Sequence, residues 1–232
     1  MIGIIVAMDV EVGALRDMMT DRVEKTVAGM VFSSGKLCGR DVVMAKSGIG
    51  KVFAAMCTQI MILEYSPDII INSGVAGTLT DKLSIGDIAV ANRFVQHDMD
   101  TSAIGDPKGL VSGINRIYFD SDASSVQTIC DIAKRRGYTY ACGTVASGDR
   151  FVNDKETKRF ITDEFSAIAC EMEGGAIAHV CYVNKTPFAS IRVISDDAGG
   201  DKPTDYNTFV EEAADKSVSL VYDFVNIYKT SM

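Results

Sequence analysis

The sequence predicts an α/β protein with a central mixed, largely parallel β-sheet flanked by helices, and three observations favour this fold class. Short runs rich in Ile and Val alternate with longer segments in which apolar residues recur at helical spacing. Several of the short runs are apolar throughout, as strands covered on both faces of a sheet are. The chain has 232 residues, 47% of them hydrophobic, which is enough for one well-packed core. We therefore expect a single domain over residues 1–232.

The predicted strands are the short apolar runs, and none is separated from the next by a linker or a low-complexity tract. They comprise residues 2–8, 42–46, 68–72, 87–91, 142–146, 167–171 and 188–194. Ligands of open α/β sheets bind beyond the carboxyl ends of the strands, so the residues that follow each run are the first candidates for a site.

The predicted helices fill most of the remaining chain. They comprise residues 9–19, 51–64, 123–136, 154–164, 173–184 and 205–229. The third of them follows Asp122, a good N-cap, and ends with cations before Gly137. Residues 97–121 contain several glycines and read as a long loop, which in a compact domain is often functional.

The charge balance limits the classes of ligand. The chain has 23 basic and 31 acidic residues, a net charge of −8, so it lacks a general attraction for nucleic acid or an anionic membrane. This balance favours a neutral or cationic small molecule as ligand. The N-terminus has no basic leader, and the six cysteines contain no Cys-x-x-Cys pair, so we expect buried free thiols in a cytoplasmic protein.

Glycine-rich turns are predicted after two of the strands. Ser47-Gly48-Ile49-Gly50-Lys51 lacks both the third glycine of a dinucleotide fingerprint and the pattern of a P-loop. Ser73-Gly74-Val75-Ala76-Gly77 would let a ligand approach backbone N–H groups closely. Phe151, at the exit of a later strand, suits either a stacked ring or the core. These features fit a flat or sugar-like ligand as well as they fit tight packing.

Carboxylates stand at three further strand ends. Glu11, Glu173 and Asp196 follow or end the first, sixth and last predicted strands. Arg192 lies inside an apolar strand and needs a carboxylate partner, either Glu171 or Glu173. A carboxylic acid, a water-activating carboxylate and a hydroxyl-binding carboxylate are what hydrolysis of an N-glycosidic bond requires. Composition and spacing permit this chemistry without naming a substrate.

Seven short motifs fall at these strand ends. They are Ala7-Met8-Asp9-Val10-Glu11, Ser47-Gly48-Ile49-Gly50-Lys51, Asn72-Ser73-Gly74-Val75-Ala76-Gly77, Gln96-His97-Asp98, Ala146-Ser147-Gly148-Asp149, Glu171-Met172-Glu173 and Arg192-Val193-Ile194-Ser195-Asp196. In this order and at these separations, the chain resembles the 5′-methylthioadenosine/S-adenosylhomocysteine nucleosidases of the purine and uridine phosphorylase superfamily over essentially its whole length. The resemblance implies a nucleoside phosphorylase-like fold and a hydrolase that releases adenine from these thio-nucleosides.

The resemblance also implies a role for each polar residue of the site. Glu11 would activate the attacking water, and Asp196, oriented by Ser195, would protonate adenine at N7. Glu173 would accept hydrogen bonds from the ribose hydroxyls, and Arg192 would assist in positioning ribose and water.

Apolar residues are implied around the substrate as well. Phe151 would stack on adenine, the Val152 backbone would read the edge of the base, and Met172 would lie under the sugar. The remaining substrate-binding residues are Met8, Ile49 and Tyr206 for the 5′-thio group, Val75, Ala76 and Gly77 of the glycine-rich turn, and Ile104 of the partner subunit in a homodimer. Val75 replaces a serine that some members carry. No metal or organic cofactor is implied.

Three alternatives to this function stay open at the level of the sequence. A phosphate-dependent purine nucleoside phosphorylase could use the same fold, although Asp9 and Glu11 would repel phosphate at the first loop. A non-catalytic nucleoside-binding protein is a second alternative. A preference for another adenosine derivative, such as 5′-deoxyadenosine or 6-amino-6-deoxyfutalosine, is a third, because the 5′ side of the site is apolar.

Overall fold

The computed structural model describes residues 1–199 and 204–228 of the chain. Within them lie ten strands: β1 (Ile2–Val6), β2 (Thr20–Val27), β3 (Met30–Leu37), β4 (Arg40–Lys46), β5 (Ile69–Thr78), β6 (Ile88–Gln96), β7 (Tyr118–Asp120), β8 (Tyr140–Ser147), β9 (Ala167–Glu171) and β10 (Phe188–Asp197). Six α-helices lie there too: α1 (Asp9–Asp17), α2 (Lys51–Tyr65), α3 (Ala123–Arg135), α4 (Lys155–Phe165), α5 (Gly174–Asn184) and α6 (Thr204–Ile227).

All ten strands belong to one mixed sheet. Its order is β10-β6-β8-β9-β5-β1-β4-β3-β2, with β7 paired to β6. A further parallel pairing of β10 with β5 closes β5, β9, β8, β6 and β10 into a ring. Parallel pairs join β1 to both β4 and β5, and β8 to both β6 and β9. The predicted α/β class with a mixed central sheet is thereby confirmed, and its strand pairings are five parallel and five antiparallel.

Helices cover both faces of the sheet because the strands between them are apolar on both sides. On one face α1, α3 and α6 bury Leu15, Ile129 and Phe224 against strand residues such as Ile4. On the other face α2 and α5 bury Met61 and other apolar side chains. Every residue of β1 is buried, as a continuously apolar strand between two helical layers requires. In the described residues no helix is long and apolar enough to cross a membrane.

Strands β2, β3 and β7 have no counterpart among the predicted strands, and the short β7 lies at the end of the segment 97–121 that is predicted to be a loop. β2 reads Thr-Asp-Arg-Val-Glu-Lys-Thr-Val and is exposed along almost its whole length, so it has no apolar face to mark it. Two-residue turns, Ala28-Gly29 and Cys38-Gly39, connect β2 to β3 and β3 to β4. All four turn residues have positive φ, the conformation of type I′ hairpin turns. The X-Gly pairs were the available sequence signal.

The prediction of a glycine-rich turn at residues 73–77 is wrong, because β5 continues through these residues to Thr78. They pair with β10, and neither Gly74 nor Gly77 has a positive φ. These glycines form no turn. Because they lack side chains, they let side chains of the neighbouring strand β10 approach closely. A Cβ atom on Gly74 would overlap Arg192 Nη1, and one on Gly77 would lie 2.8 Å from Asp196 Oδ2.

The prediction of buried thiols holds for part of the set. Cys57, Cys130, Cys170 and Cys181 are buried, but Cys38 is half-buried and Cys142 is exposed. Cys38 lies in the tight turn after β3, and Cys142 lies near the start of β8, where Tyr140 is exposed as well.

Candidate active site

A cavity of about 310 Å³ opens where the carboxyl ends of β1, β5, β8, β9 and β10 converge. Such a volume accommodates a small organic ligand. Thirteen of the predicted site residues line it: Met8, Glu11, Ile49, Val75, Ala76, Gly77, Phe151, Val152, Met172, Glu173, Arg192, Ser195 and Asp196. The topology therefore brings together side chains from nearly the whole chain.

Two predicted site residues are placed differently. Ile104 is not among the residues that line the cavity and, in a short 3-10 turn of the loop after β6, is 82% exposed. Tyr206 belongs to α6 by its backbone, but its side chain lies outside the part of the chain that the structure describes. Neither placement tests a contact to ligand.

Glu11 stands in the first turn of α1, directly beyond β1. Its Oε2 accepts hydrogen bonds from the backbone N–H groups of Ala7 and Met8, at 3.2 and 3.0 Å. The residue is 1% exposed, and this burial raises its pKa, although Met8 N–H and the Arg192 charge partly oppose the shift. Among the described residues no group donates a hydrogen bond to Oε1. A buried carboxyl group with a raised pKa and one uncommitted oxygen suits proton transfer.

Arg192 is paired with Glu171, one of the two partners that the sequence left open. Its Nη2 lies 2.5 Å from Glu171 Oε2 and also donates to Asn72 Oδ1. Ser147 Oγ donates to Glu171 Oε1, and the backbone N–H of Gly174 donates to Oε2 at 2.7 Å. The buried charges are thus paired and hydrogen-bonded, as burial demands, and the guanidinium is held at the cavity wall.

Glu173 is the N-cap residue of α5 and not part of the strand that ends at Glu171. Its Oε1 accepts a hydrogen bond from Gly50 N–H at 2.9 Å. The residue is 6% exposed, and burial together with the charge of Glu171 raises the pKa of Glu173 to about 7. At neutral pH this carboxyl group is poised between its two protonation states.

Asp196 reaches the cavity through an irregularity of β10. Ile194 pairs with Ala76 and Asp196 with Gly77, so Ser195 is an extra residue in the ladder. Such a bulge redirects the side chains beside it. Ser195 Oγ then donates a hydrogen bond to Asp196 Oδ1 at 2.8 Å, which fixes the orientation of the carboxyl group.

Apolar side chains form the rest of the wall. Ile49 and Phe151 are 60% and 50% exposed, whereas Val152 is buried. The glycines on either side of Ile49, Gly48 and Gly50, have φ values of 88° and 97°, so the turn before α2 needs them. The cavity combines flat apolar surfaces with four carboxyl groups, an arrangement suited to an uncharged ring joined to a sugar.

Sequence reasoning omitted four residues that line the cavity: Ala7, Arg150, Cys170 and Glu171. Glu171 was considered only as a partner of Arg192, and its place in the Glu-Met-Glu motif was the available signal. Ala7 and Cys170 carry no chemical signal of their own. Within the described residues no group of three or more His, Cys, Asp or Glu side chains is arranged to hold a metal ion.

The family profile of the Phosphorylase superfamily matches residues 1–226 of the chain. The 5′-methylthioadenosine/S-adenosylhomocysteine nucleosidase of Geobacillus sp. (strain WCH70) is 40% identical over 227 residues, 97% of each protein.

Solved structures are similar to this chain over almost its whole length as well. An Asp-to-Asn variant of the Helicobacter pylori nucleosidase MTAN, with 5′-methylthioadenosine in its active site, is 34% identical with a TM-score of 0.94, over 98% of both chains. The futalosine hydrolase of H. pylori strain 26695 is 34% identical with a TM-score of 0.93, over 98% of this chain and 97% of that one. The family profile, the sequence identity and the fold agree over nearly the whole chain, so this protein belongs to the Phosphorylase superfamily.

Proposed function

We propose that this protein hydrolyses the N-glycosidic bond of 5′-methylthioadenosine and S-adenosylhomocysteine, releasing adenine and the corresponding thioribose. The observation that carries the proposal is the convergence of Glu11, Glu173, Arg192 and Asp196 on one cavity with apolar walls. The full-length similarity to nucleosidases that carry this name supports the substrate class.

The proposed mechanism assigns one proton transfer to Asp196 of β10 and the other to Glu11 in the first turn of α1. Asp196, oriented by Ser195, donates its proton to adenine N7, so the bond between N9 and the anomeric carbon breaks with adenine as a neutral leaving group. Glu11 accepts a proton from water, whose oxygen bonds to the anomeric carbon. The raised pKa of Glu11 suits a base that must take up a proton near neutral pH.

The remaining residues would stabilise the positive charge that develops on the sugar. Glu173 accepts hydrogen bonds from the ribose hydroxyls, and these strengthen as the ring becomes cationic. Arg192 orients ribose and water from its fixed place beside Glu171. Phe151 stacks on adenine, and Met8, Ile49 and Met172 contact the sugar and its 5′ substituent.

Water is favoured over phosphate as nucleophile by the charges of the cavity. Its lining contains Glu11, Glu171, Glu173 and Asp196. Of the two guanidinium groups among the described lining residues, that of Arg192 is bound to Glu171 and Asn72, and that of Arg150 is paired with Asp154. A phosphate ion needs several cations free to hold it. The similarity to a futalosine hydrolase favours 6-amino-6-deoxyfutalosine as a further substrate to be tested beside the two thio-nucleosides.

Three broader features belong to the same proposal. We expect one nucleosidase domain over residues 1–232, in a cytoplasmic protein that forms a homodimer. The exposed Ile104 and the exposed apolar face of α2, described below, support a dimer in which each subunit contributes Ile104 to the other's cavity.

The decisive experiment is adenine release from 5′-methylthioadenosine in a buffer without phosphate or metal. Release of adenine with free methylthioribose supports the hydrolase. Turnover that appears only after phosphate is added, with a sugar phosphate as product, would make the protein a phosphorylase. Binding of the nucleoside without turnover in either buffer would favour a binding protein.

A further inference from the structure

Three charged residues just outside the cavity connect three strand exits. Lys51 begins α2 after β4, Asp98 follows β6 and Asp149 follows β8. Lys51 Nζ lies 2.5 Å from Asp98 Oδ1 and 4.0 Å from Asp149 Oδ2. The backbone N–H of Asp149 donates to Asp98 Oδ2 at 2.9 Å. We call Lys51, Asp98 and Asp149 the clasp.

The clasp also completes the N-terminus of α2. The N-cap residue of this helix is Gly50, which has no side chain to accept a hydrogen bond from the first turn. Asp149 Oδ1 takes that role from another segment, accepting the Lys51 backbone N–H at 2.7 Å. A Cβ atom on Gly50 would lie 3.2 Å from the same Oδ1, so the glycine permits the close approach.

The neighbouring N–H of the same turn points to the cavity. Gly50 N–H donates to Glu173 Oε1 at 2.9 Å, while the adjoining Lys51 N–H donates to Asp149. Two successive backbone N–H groups therefore donate to two different carboxylates, one to Glu173, which is assigned to ribose, and one to Asp149 of the clasp. Because the two donor nitrogens belong to adjacent residues, we expect a shift of the Lys51 N–H to displace the Gly50 N–H as well.

We propose that Asp149, supported by Asp98 and Lys51, is a positioning residue that holds Gly50 N–H on Glu173 and thereby prepares Glu173 for the ribose hydroxyls. This inference rests on the proposed function. It assigns work to three residues that do not line the cavity themselves.

The electrostatic surroundings of Glu173 give the inference a specific readout. Burial, Glu171 of β9 and Glu11 of α1 raise the pKa of Glu173, whereas Arg192 of β10 and Gly50 N–H lower it. Loss of the Gly50 hydrogen bond therefore moves the pKa of Glu173 further upward. The carboxylate form is the acceptor of ribose, so activity at acidic pH falls when this pKa rises.

Two titratable groups at the clasp, Asp98 and the neighbouring His97, have pKa values below their ordinary ones. Lys51 and the Asp149 N–H hold the pKa of Asp98 below its ordinary value, although its burial opposes them. Burial lowers the pKa of the neighbouring His97 imidazole, against the charge of Asp98, while Lys51 and the nearby Arg150 add to the lowering.

The test measures kcat/KM for adenine release across roughly pH 5–9, a range that brackets the pKa of Glu173. For Asp149→Ala we expect the acidic limb to move to higher pH, and kcat/KM on that limb should fall about tenfold for every pH unit that the limb moves. Asp149→Asn keeps an oxygen for the Lys51 N–H and should restore most of the wild-type profile. Asp41→Ala removes an exposed Lys36–Asp41 ion pair at the other end of β4 and is the matched control.

A double variant isolates the proposed route. In a Glu173→Gln background, adding Asp149→Ala should produce no further displacement of the limb, because the responding group is gone. An Asp149→Ala enzyme that loses activity or stability while its acidic limb stays in place would overturn the inference and leave the proposed function standing. A limb that moves equally in both backgrounds would overturn it too.

A second measurement decides the inference even if the wild type releases no adenine, the result that defeats the proposed function. Raising the pKa of Glu173 extends to higher pH the window over which its titration lowers the free energy of unfolding. Urea unfolding across the same pH range should show this extension in Asp149→Ala and its absence in Asp149→Asn. Identical windows in Asp149→Ala and the wild type would reject the positioning role.

Discussion

At the scale of single residues, the four carboxyl groups of the cavity differ in the donors that the protein gives them. Glu171 receives Arg192, Ser147 and two backbone N–H groups, so its hydrogen-bonding capacity is used by the protein. Glu11 keeps one oxygen without a donor among the described residues. Two glutamates of one cavity thereby differ in how much of their hydrogen-bonding capacity the protein uses, and the environment suits Glu171 to a structural task and Glu11 to contact with a ligand.

Asp196 carries the first prediction at this scale. Asp196→Asn retains the size of the side chain but has no acidic proton, so we expect turnover to fall by about 10²–10⁴-fold with little change in melting temperature. Adenine release under saturating substrate measures the effect. Asp197→Asn, which removes only the exposed ion pair with Lys158, is the control. Near-normal turnover of Asp196→Asn would refute the assignment of the acid.

Glu173 carries a prediction on stability. Its pKa, raised from 4.5 to about 7, means that the folded state binds more protons than the unfolded state between these values. The free energy of unfolding should therefore fall as pH rises through this window, by at most about 3 kcal/mol, and stay lower above it. Glu173→Gln removes this contribution. Urea unfolding at about pH 4 and pH 8 should show a smaller loss for the variant, and equal losses would contradict the raised pKa.

At the scale of elements, the paired strands β5 and β10 aim the catalytic candidates. The bulge at Ser195 turns Asp196 toward the cavity, and the glycines of β5 leave space for Arg192 and Asp196 on the neighbouring strand. The strand thus contributes mainly by lacking side chains at two positions.

Gly77→Ala tests this contribution. The new Cβ atom would lie 2.8 Å from Asp196 Oδ2 and 3.0 Å from the Ala198 Cβ, so the acid must move. A displacement of about 1 Å is expected to lower turnover by roughly 10²-fold. Gly13→Ala on α1, whose Cβ would meet no atom within 4 Å, provides the comparison and should keep full activity. Equal rates for the two variants would contradict this role of Gly77.

The sequence predicts elements well where burial governs them. The seven predicted strands correspond to observed ones because their apolar runs lie between two helical layers, as Ile69–Ile71 do. The hairpin of β2 and β3 was missed because its polar, exposed edge strand has no such pattern. The extension of β5 was missed because its glycines respond to side chains on β10, a tertiary contact that no local pattern encodes.

Most residues of the site could be predicted from the sequence, but the contacts between them could not. Thirteen predicted residues line the cavity because their motifs stand at strand ends and resemble a known family. The carboxylate partner of Arg192 remained undecided, since the choice depends on where β9 ends, and the structure places that end at Glu171. The clasp was also beyond the sequence, because Lys51, Asp98 and Asp149 meet only through the sheet order.

At the scale of the whole molecule, an apolar surface extends along α2. Val52, Met56 and Leu63 are 70%, 40% and 72% exposed and recur at helical spacing, and Phe53 lies beside them. We propose that a second copy of the chain covers this face of α2 and also contacts the exposed Ile104.

A charge on this surface tests the dimer. Val52→Glu should convert the protein to a monomer in sedimentation velocity, because a carboxylate would be buried without a partner. Its KM should rise as well if Ile104 of the partner subunit completes the cavity as proposed. Val23→Glu, at a 65% exposed valine of strand β2, is the matched control and should leave both properties unchanged. A dimeric Val52→Glu enzyme would exclude this face as the interface.

The ring of five strands has a consequence for when a newly synthesised chain becomes active. It closes where β5 meets β9 through only two residue pairs, Gly77 with Cys170 and Thr78 with Ala169, beside the pairing of β5 with the late strand β10. Contacts between such distant segments are slow to form, because the entropy of closing the long loops between them opposes their pairing. A partly synthesised chain that ends before β10 thus holds Glu11 but neither Asp196 nor an enclosed cavity. We therefore expect enzymatic activity only from molecules whose ring has closed.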